Sequence, residues 1–463
     1  MKRLAPFPFL AVMALLALGL GLFTGCSDSK SASGLLTINP APNLHVESAY
    51  PIYVAFRDGN GAWQRLQASG NGGYSAPVSD PDGRYTVLMV MNRYMQGSTR
   101  VTQGYGDVII VHGTLQETPS LWYGMSDNDF NGSPYIVSGS ISNAPADPRK
   151  YLEVRMGQYG MWSGSNMNTS YQLYNPPQPG THDLVAYIRS SIAFSPERFF
   201  VQRNIAMTGD LIRNIDFSAT VAAEYSQLTL TGGEWGDTYA YVYGITANGT
   251  EVGASEYYAN QRNIPFVILP APASGDLYRV YGQVTSGDTW AQVTSWHGSP
   301  MDIVVPLPEQ FTGVTVDYSG AAPIVGGLEY SADAYGAAKG YLVDFWGPDD
   351  NDAWHNWRCY LTPGALRGAT SFSLPAPGSL PDWNDAWSLP MSPDPERSWR
   401  ATAAGGAIAV AELLNLYVNG GSRYNITHDD GTALYSAICQ SRSDDRSAPL
   451  TRNDRRGMSL FGY

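Results

Sequence analysis

The stretch Pro81-Asp82-Gly83-Arg84-Tyr85-Thr86-Val87-Leu88-Met89-Val90 joins a tight turn to a nearly continuous apolar run. An apolar run of this length, bounded by a turn, is typical of a central strand that is covered on one or both faces. The same order of a turn, a glycine and a strand recurs at Gly180, Gly275 and Gly378. Successive glycines are 97, 95 and 103 residues apart, which indicates an internal repeat.

Three further signals accompany this turn in a fixed order. Each copy opens with a short alternating strand, continues with a strand built around a valine, and ends with a closing strand. The opening strands are 36–38, 137–139, 228–230 and 314–316, the valines are Val54, Val154, Val242 and Val343, and the closing strands are 108–111, 211–217, 303–305 and 408–410. About 90 to 100 residues with short strands is the size of an immunoglobulin-like β-sandwich. A β-propeller is the alternative, but its blades are nearer ~40 residues long.

The composition agrees with an all-β fold and limits the partners. The chain has 49 Gly, 31 Pro and 30 Tyr residues, and long helical runs are nearly absent. Its 28 Lys and Arg residues stand against 41 Asp and Glu residues, which gives a formal net charge of −13. Nucleic acid is therefore not an expected partner, because phosphate binding needs a basic face.

The first 26 residues have the layout of a secretory signal peptide. Lys2 and Arg3 precede a mostly apolar run from Phe7 to Phe23, and small residues follow. The ending Thr24-Gly25-Cys26 resembles the lipobox of bacterial lipoproteins. That resemblance implies cleavage before Cys26 and attachment of fatty acyl chains such as palmitate to its sulfur and its new amino terminus.

The resemblance also implies a location. Ser27 after the Cys implies the outer membrane in that family, so we expect a lipid anchor in the cell envelope. The alternative is an ordinary signal peptide followed by a spare Cys. A retained membrane helix is not expected, because the apolar run is shorter than the ~20 residues that span a bilayer.

These signals divide the chain into seven predicted segments. The segments are a signal peptide (1–25), the lipidated Cys with its tether (26–34), four β-sandwich modules (35–117, 134–217, 226–307 and 311–439) and a tail (440–463). The predicted fold is therefore all-β, with four tandem immunoglobulin-like β-sandwich modules after a lipoprotein signal peptide.

Two cysteines remain beyond the signal segment, and both belong to the fourth module. Export through an oxidising compartment favours a disulfide between Cys359 and Cys439. Closing a loop of this size would stabilise the module by roughly 4 to 5 kcal/mol in the chain-entropy model. The alternative is a pair of buried free thiols.

A short acidic stretch between the first two modules is a candidate calcium site. Asp127, Asp129 and Asn131 place oxygen side chains at alternate positions, and Gly132 follows, as in the first half of an EF-hand loop. The twelfth position is Ser138 instead of the bidentate Glu. A solvated Asx turn without calcium is the alternative.

Half of the 12 tryptophans are concentrated in the fourth module. Flat rings beside carboxylates suit a sugar-binding surface, whereas the alternative is that the rings are core residues and loop anchors. The tryptophans are Trp346, Trp354, Trp357, Trp383, Trp387 and Trp399, and the nearby acids include Asp344, Asp382 and Asp385.

No motif for catalysis is present in the sequence. The six histidines are scattered, and neither a zinc-binding His pair nor a Gly-x-Ser-x-Gly elbow occurs. A pair of glycosidase carboxylates leaves no linear motif, and Asp349, Asp352 and Glu396 would be its first candidates. We expect solvated loop acids there, and therefore a protein that is not an enzyme.

The sequence thus predicts an exported, lipid-anchored, non-catalytic surface protein that binds a carbohydrate or another envelope protein. Its first three modules are expected to act as a stalk, and the fourth, farthest from the lipid, to be the contact surface. A structural envelope component is the first alternative. A glycoside-active enzyme that uses loop carboxylates of the fourth module is the second.

Overall fold

A computed structural model describes residues 33–40, 51–92, 106–123, 133–145, 147, 149–158, 160–165, 169–190, 196–255, 258–298, 301–348, 354–389, 398–418 and 431–441. Several predicted features lie outside the described residues: Cys26, the half-loop with Asp127, Asp129 and Asn131, the acids Asp349, Asp352 and Glu396, and the tail after Ser441. Within the described ranges, no helix is long and apolar enough to cross a membrane. The predicted all-β fold is confirmed.

The first group of strands forms two facing sheets. Its described strands are β1 (Gly34–Pro40), β2 (Pro51–Asp58), β3 (Trp63–Arg65), β4 (Tyr74–Val78), β5 (Arg84–Asn92), β6 (Gly106–Thr114) and β7 (Ser120–Tyr123). The smaller sheet has the order β4-β1-β7, and β7 runs parallel to β1. The larger has the order β3-β2-β5-β6. After β2 the chain turns at Gly59, whose φ of +50° favours glycine.

The second group repeats this plan. Its described strands are β8 (Val137–Ser142), β9 (Lys150–Met156), β10 (Gly160–Gly164), β11 (Ser170–Gln172), β12 (Gly180–Ser190), β13 (Pro196–Met207), β14 (Leu211–Ile212), β15 (Ile215–Asp216) and β16 (Val221–Ala222). The larger sheet has the order β10-β9-β12-β13-β16, and the smaller has β11-β8-β14. Both β14 and β15 run parallel to β8.

The third group has the same two sheets. Its described strands are β17 (Glu224–Thr231), β18 (Asp237–Ile245), β19 (Glu251–Gly253), β20 (Tyr258–Ala259), β21 (Asn263–Ile268), β22 (Leu277–Ser286), β23 (Thr289–His297) and β24 (Ile303–Pro306). The smaller sheet has the order β21-β17-β24, with β24 parallel to β17. The larger sheet contains β19-β18-β22-β23, and β20 pairs with β18.

The fourth group keeps the larger sheet and alters the smaller one. Its described strands are β25 (Thr315–Asp317), β26 (Ile324–Gly326), β27 (Ser331–Ala332), β28 (Gly336–Ala337), β29 (Gly340–Pro348), β30 (Trp354–Leu361), β31 (Phe372–Ser373), β32 (Ser398–Gly406) and β33 (Ala433–Gln440). The described helices are α1 (Pro363–Leu366) and α2 (Val410–Val418). The smaller sheet, β25-β26-β31, is antiparallel throughout. Thr362 caps α1 and Pro363 occupies its first turn.

Two sequence signals of the fourth copy have other roles than predicted. Gly378 lies in a short 3₁₀ helix, Pro377–Ser379, and the strand that corresponds to β5 is β32, which begins at Ser398. The closing strand predicted at 408–410 is wrong, because α2 begins at Val410. Both errors arise from matching short turn signals in a copy whose loops are longer than those of the other three.

The larger sheets of three groups join into one sheet of 13 strands. Its order is β19-β18-β22-β23-β33-β32-β29-β30-β6-β5-β2-β3, with β20 attached to β18. Strand β23 pairs antiparallel with β33, and β30 pairs parallel with β6. Unpaired strand edges favour such pairing, because each carries a row of free backbone donors and acceptors. The sheet crosses the predicted boundaries, so separate domains remain a prediction.

This order corrects the expected placement of the fourth module. The fourth group lies between the third and the first in the shared sheet, so it is central and not at a free end. The expectation of a stalk with a distal fourth module rested on sequence order alone. Edge pairing brings the fourth group back against the first and overrides that order.

Strand β5 is buried on both faces, as its apolar sequence predicts. Val87 and Met89 belong to a core between the two sheets of the first group. Leu88 and Val90 face the opposite way, into a larger core that extends through the third and fourth groups. The first group is therefore covered on its outer face by the fourth.

The expected disulfide does not form. Cys359 lies in β30 and Cys439 in β33, and both are free thiols. The register aligns Cys359, Val343 of β29, Ala401 of β32 and Cys439 in one row. Three strand spacings of about 4.8 Å separate the cysteines by about 14 Å, whereas a disulfide needs Cα atoms within about 7 Å.

The second and third groups meet through buried polar contacts, which we term the ionic joint (Asp183, Arg203, Asn248, Thr250 and Asp276). Arg203 lies between Asp183 (Nη1 to Oδ2, 3.1 Å) and Asp276 (Nη2 to Oδ2, 2.7 Å). The side chain of Asp183 is fully buried and that of Asp276 is 4% exposed. Asn248 donates to Asp183 Oδ1 at 2.9 Å, and the Thr250 hydroxyl donates to the Asp183 carbonyl at 2.6 Å.

Candidate functional site

Three of the six clustered tryptophans come together with a tyrosine of the first group. The ring of Tyr53 lies 5.6 Å from that of Trp383 and 5.3 Å from that of Trp387. Trp383 also lies 6.0 Å from Trp357 and 5.3 Å from Trp387. We term these four residues the aromatic joint. It connects β2 of the first group to β30 and the following loop of the fourth.

Three of the four polar side-chain atoms of the aromatic joint form hydrogen bonds within the protein, and the fourth, Trp387 Nε1, is buried without a partner among the described residues. The Tyr53 hydroxyl donates to the Pro381 carbonyl at 2.7 Å. Trp357 Nε1 donates to the Trp387 carbonyl and Trp383 Nε1 donates to the Ser388 hydroxyl, both at 2.9 Å. Trp357 is 1% exposed, so its ring offers no face to a ligand. These contacts are those of loop anchors.

The remaining tryptophans of the predicted surface lie elsewhere. Trp346 in β29 is half-buried beneath Arg400, whose guanidinium carbon is 5.7 Å from the ring centre. Arg400 also forms an ion pair of 2.6 Å with the buried Asp344. Trp399 is half-buried on β32, and the side chain of Trp354 lies outside the described residues.

The acids near the aromatic joint are exposed. Asp382 pairs with Arg65 at 3.2 Å, and their side chains are 70% and 41% exposed, so the pair contributes little to stability. Asp385 is also exposed. The structure therefore brings Trp357, Trp383 and Trp387 together, but as part of an internal contact between the first and fourth groups.

A second aromatic surface lies on the third group, and the sequence analysis missed it. Strand β18 alternates along its length, with Thr238, Ala240 and Val242 buried and Tyr239, Tyr241 and Tyr243 half-buried on the other face. The period-two pattern was available in the sequence as a signal for a strand with two unlike faces. Tryptophan density, which marks the fourth module, does not mark this strand, because its aromatic residues are tyrosines.

Neighbouring strands extend this surface. The register places Tyr241 opposite Tyr281 of β22, and the two rings stack with their centres 4.7 Å apart and planes 9° apart. Tyr239 lies opposite Gln283, whose Oε1 is 2.6 Å from the Tyr281 hydroxyl. We term Tyr239, Tyr241, Tyr243, Tyr281 and Gln283 the tyrosine face. It combines rigid rings with hydroxyl and amide groups.

The charges beside the tyrosine face are already compensated. The Arg279 guanidinium lies 5.1 Å from the centre of the Tyr243 ring and 3.0 Å from a carboxylate oxygen of Glu251. An arginine that is paired with a carboxylate does not present a free cation to an anionic ligand. The tyrosine face therefore suits a ligand that is neutral, amphipathic and able to form hydrogen bonds.

A separate cleft of about 500 Å³ opens in the fourth group. Its lining includes Leu328, Tyr330, Tyr341, Leu366 and Thr370. The Tyr330 hydroxyl donates to the Glu309 carbonyl at 2.6 Å, and the Tyr341 hydroxyl accepts from the Tyr330 amide at 3.0 Å. Burial raises the pKa of both phenols, so they stay protonated. The tyrosines of this cleft therefore stabilise the fold through hydrogen bonds to the backbone.

Within the described ranges, no group of three His, Cys, Asp or Glu side chains is arranged to hold a metal ion. The calcium half-loop with Asp127, Asp129 and Asn131 lies outside those ranges and stays a prediction.

No family model and no curated protein sequence matches the chain. A solved structure titled "The Bacillus anthracis TIE protein" aligns with 60% of this chain and 51% of its own length, at 12% identity and a TM-score of 0.14. The chain thus spans about half of that structure. At that TM-score the likeness carries no argument about this protein. The fold and the surface define an all-β protein with an aromatic face.

Proposed function

We propose that this protein is an exported, lipid-anchored, non-catalytic envelope protein that binds carbohydrate through the tyrosine face. The observation that carries the proposal is the half-exposed row Tyr239, Tyr241 and Tyr243, beside Tyr281 and Gln283. Tyrosine offers apolar ring surface and a hydroxyl at a low cost in side-chain entropy. A sugar presents the matching chemistry, because its rings carry apolar C–H faces and hydroxyl edges.

Binding of polysaccharides by the purified mature protein tests this proposal. We expect retention on at least one immobilised neutral polysaccharide and a change in tryptophan fluorescence on binding, because Trp290 and Trp296 lie on the neighbouring strand β23. Tyr241→Ala should weaken binding about tenfold, as is usual for the loss of a central aromatic contact. Tyr241→Phe, which keeps the ring, should retain most of the affinity.

The matched control is Tyr174→Ala, because Tyr174 is 74% exposed on the second group, whose sheets are separate from the sheet that carries the tyrosine face. Its affinity should equal that of the unmodified protein. Equal affinity of Tyr241→Ala and the unmodified protein would refute the tyrosine face. If the protein retains an envelope protein but no polysaccharide, the ligand is a protein and the proposal of carbohydrate binding is wrong.

The lipid anchor is a separate part of the proposal and rests on Met1 to Cys26. Mass spectrometry of the amino-terminal peptide should find acyl chains on Cys26. Cys26→Ser should release the protein from the membrane fraction, because several acyl chains make anchoring effectively permanent. An unmodified Cys26 in a water-soluble protein would contradict the lipid anchor. It would not affect the proposal that the tyrosine face binds carbohydrate.

A structural role in the envelope is the second candidate, and one observation favours it. The pairings of β23 with β33 and of β30 with β6 join the larger sheets of three groups into one continuous sheet. A continuous sheet suits a stiff scaffold. This candidate predicts crosslinks in cells to other envelope proteins and no retention on polysaccharides. Crosslinking with mass spectrometry, run beside the retention assay, separates the two roles.

A further inference from the structure

The cleft of the fourth group has the size and the open access that a small ligand needs. Its volume of about 500 Å³ lies within the range of about 300 to 1,000 Å³ that is typical of ligand pockets. Buried Leu328 and Leu366 give its lining apolar surface, and Gly368, Ala369 and Thr370 of the lining are exposed. A small molecule can therefore reach apolar surface in this cleft from solvent.

One buried donor in this lining is not used by the fold. Tyr341 is 7% exposed, and its hydroxyl oxygen accepts from the Tyr330 amide at 3.0 Å. Its hydroxyl proton has no acceptor among the described residues. Buried polar groups nearly always make their hydrogen bonds, because an unmade bond costs the group its contact with water. Since Tyr341 lines the cleft, an oxygen atom of a ligand would supply the missing acceptor.

Glu329 gives the same lining an uncompensated negative charge. It is exposed, and it forms no ion pair with any described residue. Among the described residues that line the cleft, it is the only acid. A single carboxylate suits an organic cation better than a divalent metal ion, which binds several oxygen ligands.

The charges that act on the two tyrosines of the cleft also favour a cation. Burial raises the pKa of both phenols, and nearby acids raise it further: Glu309 and Asp333 act on Tyr330, and Glu329 acts on Tyr341. No lysine or arginine of the described residues opposes these acids at either phenol. Tyrosine rings themselves attract cations through the negative charge on their faces.

The basic residues that adjoin the lining in sequence have other partners. Arg367, which precedes Gly368, pairs with Asp82 at 2.7 Å. Lys339 Nζ donates to the Ile408 carbonyl at 2.8 Å. Neither side chain neutralises Glu329, so the negative charge of the cleft is available to a ligand.

We propose that the cleft binds a small organic ammonium ion that has an apolar body and a hydroxyl group. The ammonium group pairs with Glu329, and the ligand hydroxyl accepts from Tyr341. The apolar body packs against Leu328 and Leu366. This site belongs to the fourth group and does not involve the tyrosine face of the third, so the inference goes beyond the proposed function.

Isothermal titration calorimetry of the full mature chain at neutral pH tests the ligand class with three probes of similar shape. Phenylethanolamine carries the ammonium, the hydroxyl and an apolar ring. Phenylethylene glycol replaces the ammonium with a hydroxyl, and mandelate replaces it with a carboxylate. We expect phenylethanolamine to bind, the glycol to bind about tenfold more weakly and mandelate not to bind, because a hydrogen bond between charged groups is stronger than a neutral one.

Two variants test the location of the site. Glu329→Gln keeps the shape of the side chain and removes its charge. It should weaken phenylethanolamine binding about tenfold, to the level of the glycol, and should leave the affinity for the glycol unchanged. Ala369→Trp, at an exposed position of the lining, should block the cleft and abolish binding of both probes.

The matched control is Glu234→Gln, because the Glu234 side chain is 80% exposed and lies in the third group. It should change neither affinity. Equal phenylethanolamine affinity of Glu329→Gln and the unmodified protein, or binding that survives Ala369→Trp, would overturn the site. Mandelate binding as tight as that of phenylethanolamine would overturn the cationic class, and no binding of phenylethanolamine would overturn the whole inference. Polysaccharide retention is measured separately, so this inference and the proposed function can each fail alone.

Discussion

The aromatic joint and the ionic joint connect neighbouring groups of strands by opposite chemistry. In the aromatic joint, Tyr53 of the first group packs among Trp357, Trp383 and Trp387 of the fourth. In the ionic joint, Arg203 of the second group lies between its own Asp183 and Asp276 of the third. One joint depends on apolar area, and the other depends on complete pairing of buried charges.

This difference predicts how the stability of each joint should respond to substitution. Apolar burial is non-directional and roughly proportional to area, so the aromatic joint loses stability gradually as ring surface is removed. A buried ion pair depends on both partners, because the loss of one leaves an uncompensated charge in the interior. The ionic joint should therefore tolerate loss of the whole network better than loss of one member.

The largest expected effect is at the aromatic joint. Trp357→Ala should lower the free energy of unfolding by about 3 to 5 kcal/mol, because it opens a cavity at a fully buried ring. Urea unfolding followed by circular dichroism measures the loss. Trp63→Ala, at a half-buried ring on the edge strand β3, is the control and should cost clearly less. Equal losses of unfolding free energy in the two variants would show that the aromatic joint stabilises the protein no more than an edge-strand tryptophan does.

The ionic joint should respond to a single substitution nearly as strongly. Arg203→Met leaves the buried Asp183 and Asp276 without their cation and should cost about 3 kcal/mol. Adding Asp183→Asn and Asp276→Asn should recover part of that loss. Arg149→Met, at a side chain that is 77% exposed, should have no measurable effect. A triple variant weaker than Arg203→Met alone would contradict the uncompensated-charge explanation.

The contact between the first and fourth groups and the ionic joint should lose stability in different ranges of pH. His112 of β6 lies at the contact between the first and fourth groups, with its ring 5.1 Å from Phe372 of the fourth group and its Nδ1 2.9 Å from the Thr86 hydroxyl. Burial, with a smaller contribution from Arg57, lowers its pKa from 6.5 to about 4. Between those values the unfolded chain binds a proton that the folded chain does not, so stability falls as pH decreases from about 6.5 to 4, by at most about 3 kcal/mol.

The ionic joint responds at lower pH. Burial raises the pKa of Asp183, but hydrogen bonds from Asn248, Asn204, Thr246 and Arg203 outweigh it, so the folded pKa is lowered. Its contribution is therefore complete above the unfolded pKa of about 3.9 and is lost as pH falls below that value. Urea midpoints measured from pH 8 to pH 3 should fall in two steps. His112→Gln should remove the first step alone; a single step in both proteins would contradict this separation.

Local turn chemistry made much of the repeat predictable. Gly83 and Gly275 lie in turns that precede β5 and β22, and Gly180 begins β12, as the spacing predicts. Such turns depend on a few neighbouring residues, so they are visible in sequence. Gly378 failed because a Pro-Gly pair also suits a 3₁₀ turn, and no local signal separates the two.

Contacts between groups could not be predicted, because they depend on which strand edges meet. No residue pattern in β30 indicates that it pairs with β6, or that β33 pairs with β23. The tyrosine face was readable in part, since Tyr239, Tyr241 and Tyr243 alternate with small buried residues. The neighbouring Ser436 comes from the fourth group, and only the register places it beside Gln292.

The same register gives the smallest predicted effect, and it concerns the two cysteines. A row of three strand spacings separates Cys359 from Cys439, so reductant should leave the thermal midpoint unchanged. Burial raises the pKa of both thiols, which disfavours the reactive thiolate. Alkylation of Cys359 and Cys439 should therefore be slow in the folded protein and should be complete at both positions as soon as urea unfolds it. Labels that appear only after reduction would mean that the strands between these cysteines are arranged differently, and the shared sheet through β33, β32, β29 and β30 would have to be redrawn.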